Sequence, residues 1–492
     1  MSTIQIKNLS FEYEGNVEKV FENVSLNIDT NWKLGLIGRN GKGKTTFLKL
    51  LKGEYPYQGT IQKVVEIDYF PFEVKNKEEI TIELVKNIIP QIEDWEIIKE
   101  LNLLNADAEI LYRKYSLLSS GEQVKVLLIS LFLKENNFLL IDEPTNHVDY
   151  ETKKEIANYL KTKKGFILVS HDRELLNNVV DHILSINNKN ITIQKGNYNT
   201  WKEEKEKEDN FEISKNEKLE KDISRLETAS RNVTIWSDKV EKTKMKTKNS
   251  REKIDRGYIG HQSAKMMQRA KNIENRKNKQ IEEKESLLKN IEIIEDLTMK
   301  PQDFDKKTLI VANNFQIKYS EKPLFSSQNF VVEKNDRIAI IGKNGSGKSS
   351  ILKILTGQNI LYEGKISIAN NLKISYVPQT TEEVTGLLSE YAKKYDIEEA
   401  IFRAMLNKLG IQTKKFERDI SNTSEGQKKK IMLARSITEK AHIYIWDEPL
   451  NYIDIISREQ IEKMLLKIKP TIIFVEHDKT FVNAIATKTI II

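Results

Sequence analysis

Short apolar runs punctuate this chain of 492 residues, and one arrangement of them occurs twice. The stretch LGLIGRNGKGKTTFLKLL, Leu34 to Leu51, opens apolar, passes through a glycine-rich turn and ends in apolar positions at helical spacing. IAIIGKNGSGKSSILKIL, Ile338 to Leu355, repeats the pattern. Both predict a buried strand running into a helix. IQIKNLSF and FENVSLNI alternate apolar with polar residues and predict antiparallel edge strands. The runs in NNFLLIDEPTNHVD and GFILVSHDRELL predict two further buried strands, matched later by HIYIWDEPLNYID and TIIFVEHDKTF. The two copies keep register: 304 residues separate Gly38 from Gly342, 305 separate Ser119 from Ser424 and Asp142 from Asp447, and 306 separate His171 from His477. An interval held that closely predicts a duplicated α/β domain, with copies over residues 1–200 and 309–492.

Between them, residues 201–308 follow another pattern. No proline occurs from Trp201 to Lys300, and only two glycines, Gly257 and Gly260. Phe211, Leu219, Ile223 and Leu226 keep rough helical spacing, as do Ile281, Leu288, Ile291 and Ile294. The expectation is an antiparallel helical pair, each leg of roughly 40–50 residues reaching about 60–75 Å. Charge is segregated along it. From Arg231 to Lys279 there are fifteen Lys and Arg against five Asp and Glu, while 202–230 carries seven against ten and 280–296 two against six. Trp236, Tyr258, His261, Met266 and Met267 interleave with the basic residues, which include Lys244, Lys246, Lys248, Arg251, Arg256 and Lys265. A charged helix pair is commonly only a solvated coiled coil. Basic residues mixed with aromatics near a tip point instead to a polyanion, the ammonium groups meeting phosphates and Trp236 or Tyr258 stacking on an unpaired base. No element for reading duplex DNA is evident, so RNA is the expected partner.

Composition narrows the class. A hydrophobic share of 39% supplies real cores, and the length fits two to four domains. The absence of cysteine rules out disulfides and thiolate metal sites. No run of eighteen apolar residues and no signal sequence occur, so the expectation is a soluble, cytoplasmic protein without a membrane span. The net charge of +7 is modest, and its placement matters more.

Each repeated stretch contains G-x-x-x-x-G-K-[ST]. Glycines Gly38, Gly41 and Gly43, and Gly342, Gly345 and Gly347, let the backbone turn its N–H groups inward toward phosphate oxygens. The helix that follows adds its positive N-terminal end. Lys44 and Lys348 are placed to neutralise phosphates, and Thr45 and Ser349 to hold Mg²⁺. Asp142 and Asp447 close buried strands where a carboxylate holds Mg²⁺ through water; Glu143 and Glu448 follow to polarise an attacking water, and His171 and His477 to meet the γ-phosphate. Tyr13, some twenty-five residues before Gly38, is either an ordinary strand aromatic or a ring that stacks on adenine.

These motifs resemble the ATP-binding-cassette family, with its Walker A loop, its signature (here SSGEQ and TSEGQ), its Walker B carboxylates and its switch histidine. Tandem copies without a membrane segment resemble the ABC-F subfamily. The resemblance implies two ABC-type nucleotide-binding domains joined by a long antiparallel α-helical hairpin linker, acting as a monomer in which the cassettes pair head to tail over two ATP molecules with Mg²⁺. Carried over, one site combines Asn40, Lys44, Thr45, Thr46, Asp142, Glu143 and His171 with Ser424, Gly426 and Gln427. The other combines Asn344, Lys348, Ser349, Ser350, Asp447, Glu448 and His477 with Ser119, Gly121 and Glu122. The family's Q-loop glutamine is present as Gln379, a further implied Mg²⁺ contact, but DYFPF places Phe72 at the matching position. Glu425 stands where the second signature would carry glycine. Both departures fall on the Lys44 site and predict that it is the slower of the two. In ABC-F proteins the linker enters the ribosomal exit site and touches tRNA and rRNA. The long linker, the short Phe72–Ser116 interval and an end directly after a strand resemble the antibiotic-resistance group of the Lsa and Vga type. That implies protection of the 70S ribosome against lincosamides, streptogramin A compounds and pleuromutilins. A housekeeping translation factor is the alternative; the ATPase subunit of an efflux transporter and a DNA-repair ATPase fit the basic arm less well.

Overall fold

A computed structural model of the chain describes residues 2–14, 19–146, 148–187, 190–246, 295–318, 323–343, 345–411 and 419–492, with isolated positions between 265 and 279. Each repeated stretch forms a strand buried at the centre of a parallel sheet. In the first half the order is Glu66–Phe70, Asn137–Asp142, Phe166–Val169, Lys33–Ile37, His182–Asn187 and Asn190–Lys195, parallel except for the last strand. The second half repeats it as Ile374–Val377, Ile443–Asp447, Ile472–Val475, Arg337–Ile341 and Lys488–Ile491, all parallel. Helices cover both faces of such a sheet or share them with a second sheet, so its inner strands are apolar on both sides. Phe166–Val169 and Ile472–Val475 accordingly have every residue buried. A three-stranded antiparallel sheet lies against each copy: Phe21–Asp29, Thr3–Phe11 and Gln58–Gln62 in the first, Gln328–Glu333, Thr308–Ile317 and Tyr362–Ile368 in the second.

The two copies pack into one compact unit made of residues 1–201 and 294–492, and Lys202–Ile293 forms another. Ile455 of the second copy is buried in the hydrophobic core of the first. Arg173 pairs with Glu462 at 2.6 Å, and the Tyr198 hydroxyl donates to Glu459 at 2.9 Å. Asp454 is fully buried and caps the helix Ile455–Ile468. Its carboxylate lies 2.5 Å from the Lys430 ammonium and also accepts the backbone N–H of Asn40, in the other cassette's phosphate loop, at 3.2 Å. Burial alone would raise this carboxyl's pKa, but the Lys430 and Lys44 ammoniums hold it well below the usual carboxylate range. The corresponding first-copy residue, Asp149, only caps its own helix, and Lys125 reaches Glu155 instead.

The second unit contains most of one helix, Tyr198–Lys246, of 49 residues and about 74 Å. Trp236, Lys244 and Lys246 lie on it, and Lys265 is an exposed helical residue further on. Leu219 and Ile223 are half-buried, but Phe211 is exposed, so the expected seam is incomplete at its start. The return positions Ile281, Leu288, Ile291 and Ile294 lie outside the described residues, as do Lys248, Arg251, Arg256, Tyr258, His261, Met266, Met267 and, in the second phosphate loop, Asn344.

Removing one member of a buried ion pair strands its partner's charge, at a cost of about 3–5 kcal/mol. Asp454→Asn is therefore expected to lower the urea midpoint clearly, and Asp149→Asn to lower it by no more than a lost helix cap, about 1 kcal/mol. Because the folded carboxyl is held low, its contribution is complete above about pH 4 and fades as acid lowers the pH through its folded value. Equal midpoints for the two variants would contradict the reading of Asp454 as a cross-cassette anchor.

Candidate functional site

Ligands bind open α/β sheets at the carboxyl ends of the strands, where the chain turns into helices. Both copies gather their polar residues there. The glycine before each phosphate-loop helix, Gly43 or Gly347, is left-handed with φ of 96° or 97°, a conformation that a side chain would strain. The turn folds over the following lysine. Lys44 Nζ donates to the carbonyls of Gly38 at 2.7 Å and Arg39 at 3.3 Å and to Asn40 Oδ1 at 3.2 Å. Lys348 Nζ donates to those of Gly342 at 2.9 Å and Lys343 at 2.8 Å. Burial lowers the pKa of both ammoniums, and nearby carboxylates oppose that.

Glu143 and Glu448 hold matching strained conformations, with φ of 50° and 45°. Side chains rarely sit there, and such outliers cluster at functional sites. Each is fixed by its backbone N–H, which donates to the neighbouring strand's carbonyl at Val169 (2.9 Å) or Val475 (3.0 Å). Each carboxylate faces a histidine. His171 Nε2 lies 3.3 Å from Glu143, and His477 Nε2 lies 3.5 Å from Glu448.

The surroundings of the two glutamates then diverge. Gln379 and Asn451 donate to Glu448 at 2.9 and 2.6 Å. Burial pushes that carboxyl upward, but His477, Gln379 and Asn451 together hold it at about 2. Phe72 packs on the apolar core of the first cassette and offers Glu143 no donor. Burial, and then Asp142 beside it, push Glu143 up to about 8. His171 is driven well below its ordinary range by burial and by the Lys44 ammonium, which leaves it neutral. One cassette thus holds its glutamate below the usual carboxylate range and the other above it.

The cassettes come together over the first phosphate loop. A cavity of about 530 Å³ is lined by Tyr13, Asn40, Gly41, Gly43, Lys44, Thr45, Thr46, Asp142, Glu143 and His171 from one cassette and Ser424, Glu425, Gly426 and Tyr452 from the other. The Asn40 amide donates to the Tyr452 carbonyl at 2.6 Å, and the Gln427 amide lies beside Gly41. Tyr13 donates to or accepts from the Thr46 hydroxyl at 2.6 Å, its ring edge-on to Phe11 and Tyr55. A second cavity, of about 390 Å³, holds Lys348, Ser349, Ser350, Gln379, Glu448 and His477. It also takes Glu143, Asn146 and His171 from the first cassette, but Ser119, Gly121 and Glu122 do not line it. Glu122 is engaged instead by Arg113 at 2.6 Å and Ser119 at 2.8 Å, and Gly121 packs on Thr152 of its own cassette. The structure therefore assembles one composite cavity from the expected residues and leaves the other without its signature.

The Mg²⁺ that such sites normally take needs few protein ligands, because phosphates and water supply the rest. No cluster of three or more His, Asp or Glu among the described residues has metal-binding geometry. The donor chemistry nevertheless fits. Asp447 is buried, and its two oxygens have no complete hydrogen bond among the described residues. Thr45 Oγ1 lies 3.3 Å from Asp142, whose same oxygen accepts from the Tyr69 hydroxyl at 2.7 Å. Tyr69, Tyr452 and Asp454 were not anticipated from the sequence. The repeated NHVD and NYID after the acidic pairs was the signal for the last two.

The geometry defines a pair of phosphate-loop nucleotide cassettes facing each other. The ABC transporter family profile matches residues 21–146 and 325–451. Over 99% of its length the chain is 28% identical to the ribosome protection protein VmlR of Bacillus subtilis, covering 86% of it. It is 25% identical to ABC transporter F family member 2 of Arabidopsis thaliana over 99% of this chain and 76% of that one. Among solved structures, the archaeal ribosome recycling factor aABCE1, in complex with stalk protein aP1, superposes with a TM-score of 0.60 at 19% identity, covering 98% of this chain and 87% of that one. The chain belongs to the ATP-binding-cassette family, and its cassettes bind and hydrolyse ATP. No helix among the described residues is long and apolar enough to cross a membrane.

The unequal glutamates predict unequal sites. Glu143→Gln, which leaves Glu448 to act, should retain single-turnover hydrolysis at least about tenfold faster than Glu448→Gln, a difference of about 1.4 kcal/mol in barrier. Equal rates in the two variants would contradict this.

Proposed function

We propose that this chain is an ATPase that protects the bacterial ribosome. In this reading Lys44 and Lys348 neutralise ATP phosphates, and Thr45 with Asp142, and Ser349 with Asp447 and Gln379, hold Mg²⁺, which supplies charge neutralisation at the phosphates. Glu143 and Glu448 orient the attacking water, while His171 and His477 meet the γ-phosphate. Ser424, Gly426 and Gln427, and on full closure Ser119, Gly121 and Glu122, complete the two sites from the opposite cassette.

ATP favours the closed pair of cassettes, and that form docks on the 70S ribosome. The basic stretch of the linker then reaches toward the peptidyl-transferase centre, where Trp236, Lys244, Lys246, Lys248, Arg251, Arg256, Tyr258, His261 and Lys265 meet rRNA or tRNA. A lincosamide, streptogramin A or pleuromutilin-type drug is dislodged, and hydrolysis opens the cassettes and releases the protein. The observation that carries this reading is the likeness to a named ribosome protection protein along almost the whole chain, linker included. The fifteen-to-five excess of basic residues from Arg231 to Lys279 agrees with it.

The test is co-sedimentation of the Glu143→Gln/Glu448→Gln variant with 70S ribosomes. Pelleting should depend on ATP, and added drug bound to those ribosomes should be released. Replacing Lys244, Lys246 and Lys248 by Glu should weaken pelleting by about tenfold or more and flatten its dependence on salt, since each phosphate contact adds to that slope. Pelleting that ignores ATP, or is absent at low salt, would overturn the ribosome reading.

A further inference from the structure

The signature helix of the second cassette, Glu425–Thr438, begins at the Lys44 cavity, yet two of its side chains reach into the machinery of the Lys348 cavity. Lys429 is 1% exposed. Its ammonium donates to the carbonyls of Pro378 at 2.9 Å, Gln379 at 3.3 Å and Asp447 at 3.2 Å, which matches its three N–H bonds with three acceptors. One turn earlier, Glu425 accepts from the Thr381 hydroxyl at 2.5 Å. Pro378–Thr381 is the segment that carries Gln379, whose amide holds Glu448, and Asp447 ends the adjacent strand. The helix that meets one nucleotide site is thus tied by side chains to the residues that serve the other.

The first cassette lacks the lysine of these ties. Val124 and Phe72 stand where the second has Lys429 and Gln379. Val124 cannot donate to a carbonyl, and Phe72 is turned into the core. Among the described residues, the lysine ties run from the second cassette's signature helix alone.

We infer that Lys429 and the Glu425–Thr381 bond form a one-way latch through which nucleotide held at the Lys44 cavity positions Gln379 and Asp447 and so sets turnover at the Lys348 cavity. Lys429 and Thr381 are positioning residues here, since neither lines either cavity. The inference rests on the composite-site reading above and adds a direction to it. A lysine that merely satisfied buried carbonyls would stabilise the fold without transmitting occupancy, and the two roles separate experimentally.

The experiment compares ATP turnover at the Lys348 site in two backgrounds. Glu143→Gln retains nucleotide at the Lys44 cavity, and Lys44→Ala loses it. The ratio of the two rates measures the coupling and cancels a loss of folded protein common to both. With the latch intact the ratio should be at least about fivefold, the lower range for coupled sites, and Lys429→Met or Thr381→Val should bring it to about one. Thr381→Ser, which keeps the hydroxyl, should restore it. A ratio that survives both Lys429→Met and Thr381→Val, or a parent ratio of about one, overturns the latch. Failure of the composite-site reading looks different: the Glu143→Gln parent would then show no turnover that Glu448→Gln abolishes, and both ideas would fall together.

Discussion

Asp454 joins the two halves of the molecule at a point where neither could be moved alone. Its carboxylate is fully buried against the Lys430 ammonium and accepts a backbone N–H from the phosphate loop of the opposite cassette. A buried pair of this kind gains little over apolar packing, yet it is costly to break, so it specifies an arrangement more than it stabilises one. Here it specifies that Asn40, Tyr452, Gln427 and Gly426 meet around Lys44. The composite cavity follows from that fixed point. On the other side Asp149 and Lys125 are turned to partners within their own cassette, and the first cassette's signature, Ser119–Glu122, does not line the Lys348 cavity.

Duplication made the cassettes alike in backbone, and divergence made them unlike in chemistry. Both hold a glutamate in a left-handed conformation at a strand end, facing a histidine. A few substitutions then separate them. Burial raises both carboxyls, but His477, Gln379 and Asn451 hold Glu448 low, whereas Asp142 pushes Glu143 further up. Glu425 adds a carboxylate at the Lys44 cavity, but Thr381 and Lys428, at 2.5 and 3.2 Å, engage it and limit its repulsion of phosphate. The molecule therefore has two cavities of one backbone design with different chemistry around their glutamates.

Much of this was legible in the residues. Buried parallel strands announce themselves as unbroken apolar runs, so Leu34–Ile37, Phe138–Ile141 and Phe166–Val169 could be placed, and the glycine spacing fixed the turns that follow them. The constant interval between copies revealed the duplication. Phe72 and Glu425 stood out as departures because the pattern of the resembled family supplied a comparison. What could not be read were properties of three-dimensional meeting. That Asp454 rather than Asp149 crosses to the other cassette depends on which signature helix presents its lysine, not on local pattern. The roles of Tyr69 and Thr381 depend on side chains from distant strands and turns converging. The helix Tyr198–Lys246 was legible from the lack of proline and the surplus of helix-forming Glu and Lys, but the exposed Phe211 shows that helical spacing of apolar residues does not by itself say what covers them.

The claim on which the rest depends is that the second cassette's signature completes the Lys44 site. Gly426 offers the most direct probe, because a methyl group there would sit 2.6 Å from the Tyr452 carbonyl and 2.8 Å from the Asn40 amide. The measurement is calorimetric titration of ATP into Gly426→Ala, in a Lys348→Ala background that isolates the Lys44 site. Affinity at least about tenfold weaker than in the background alone, a loss of about 1.4 kcal/mol, is the predicted result. An unchanged affinity would mean that the cassettes do not share this site, and the account of paired, unequal cassettes would be wrong.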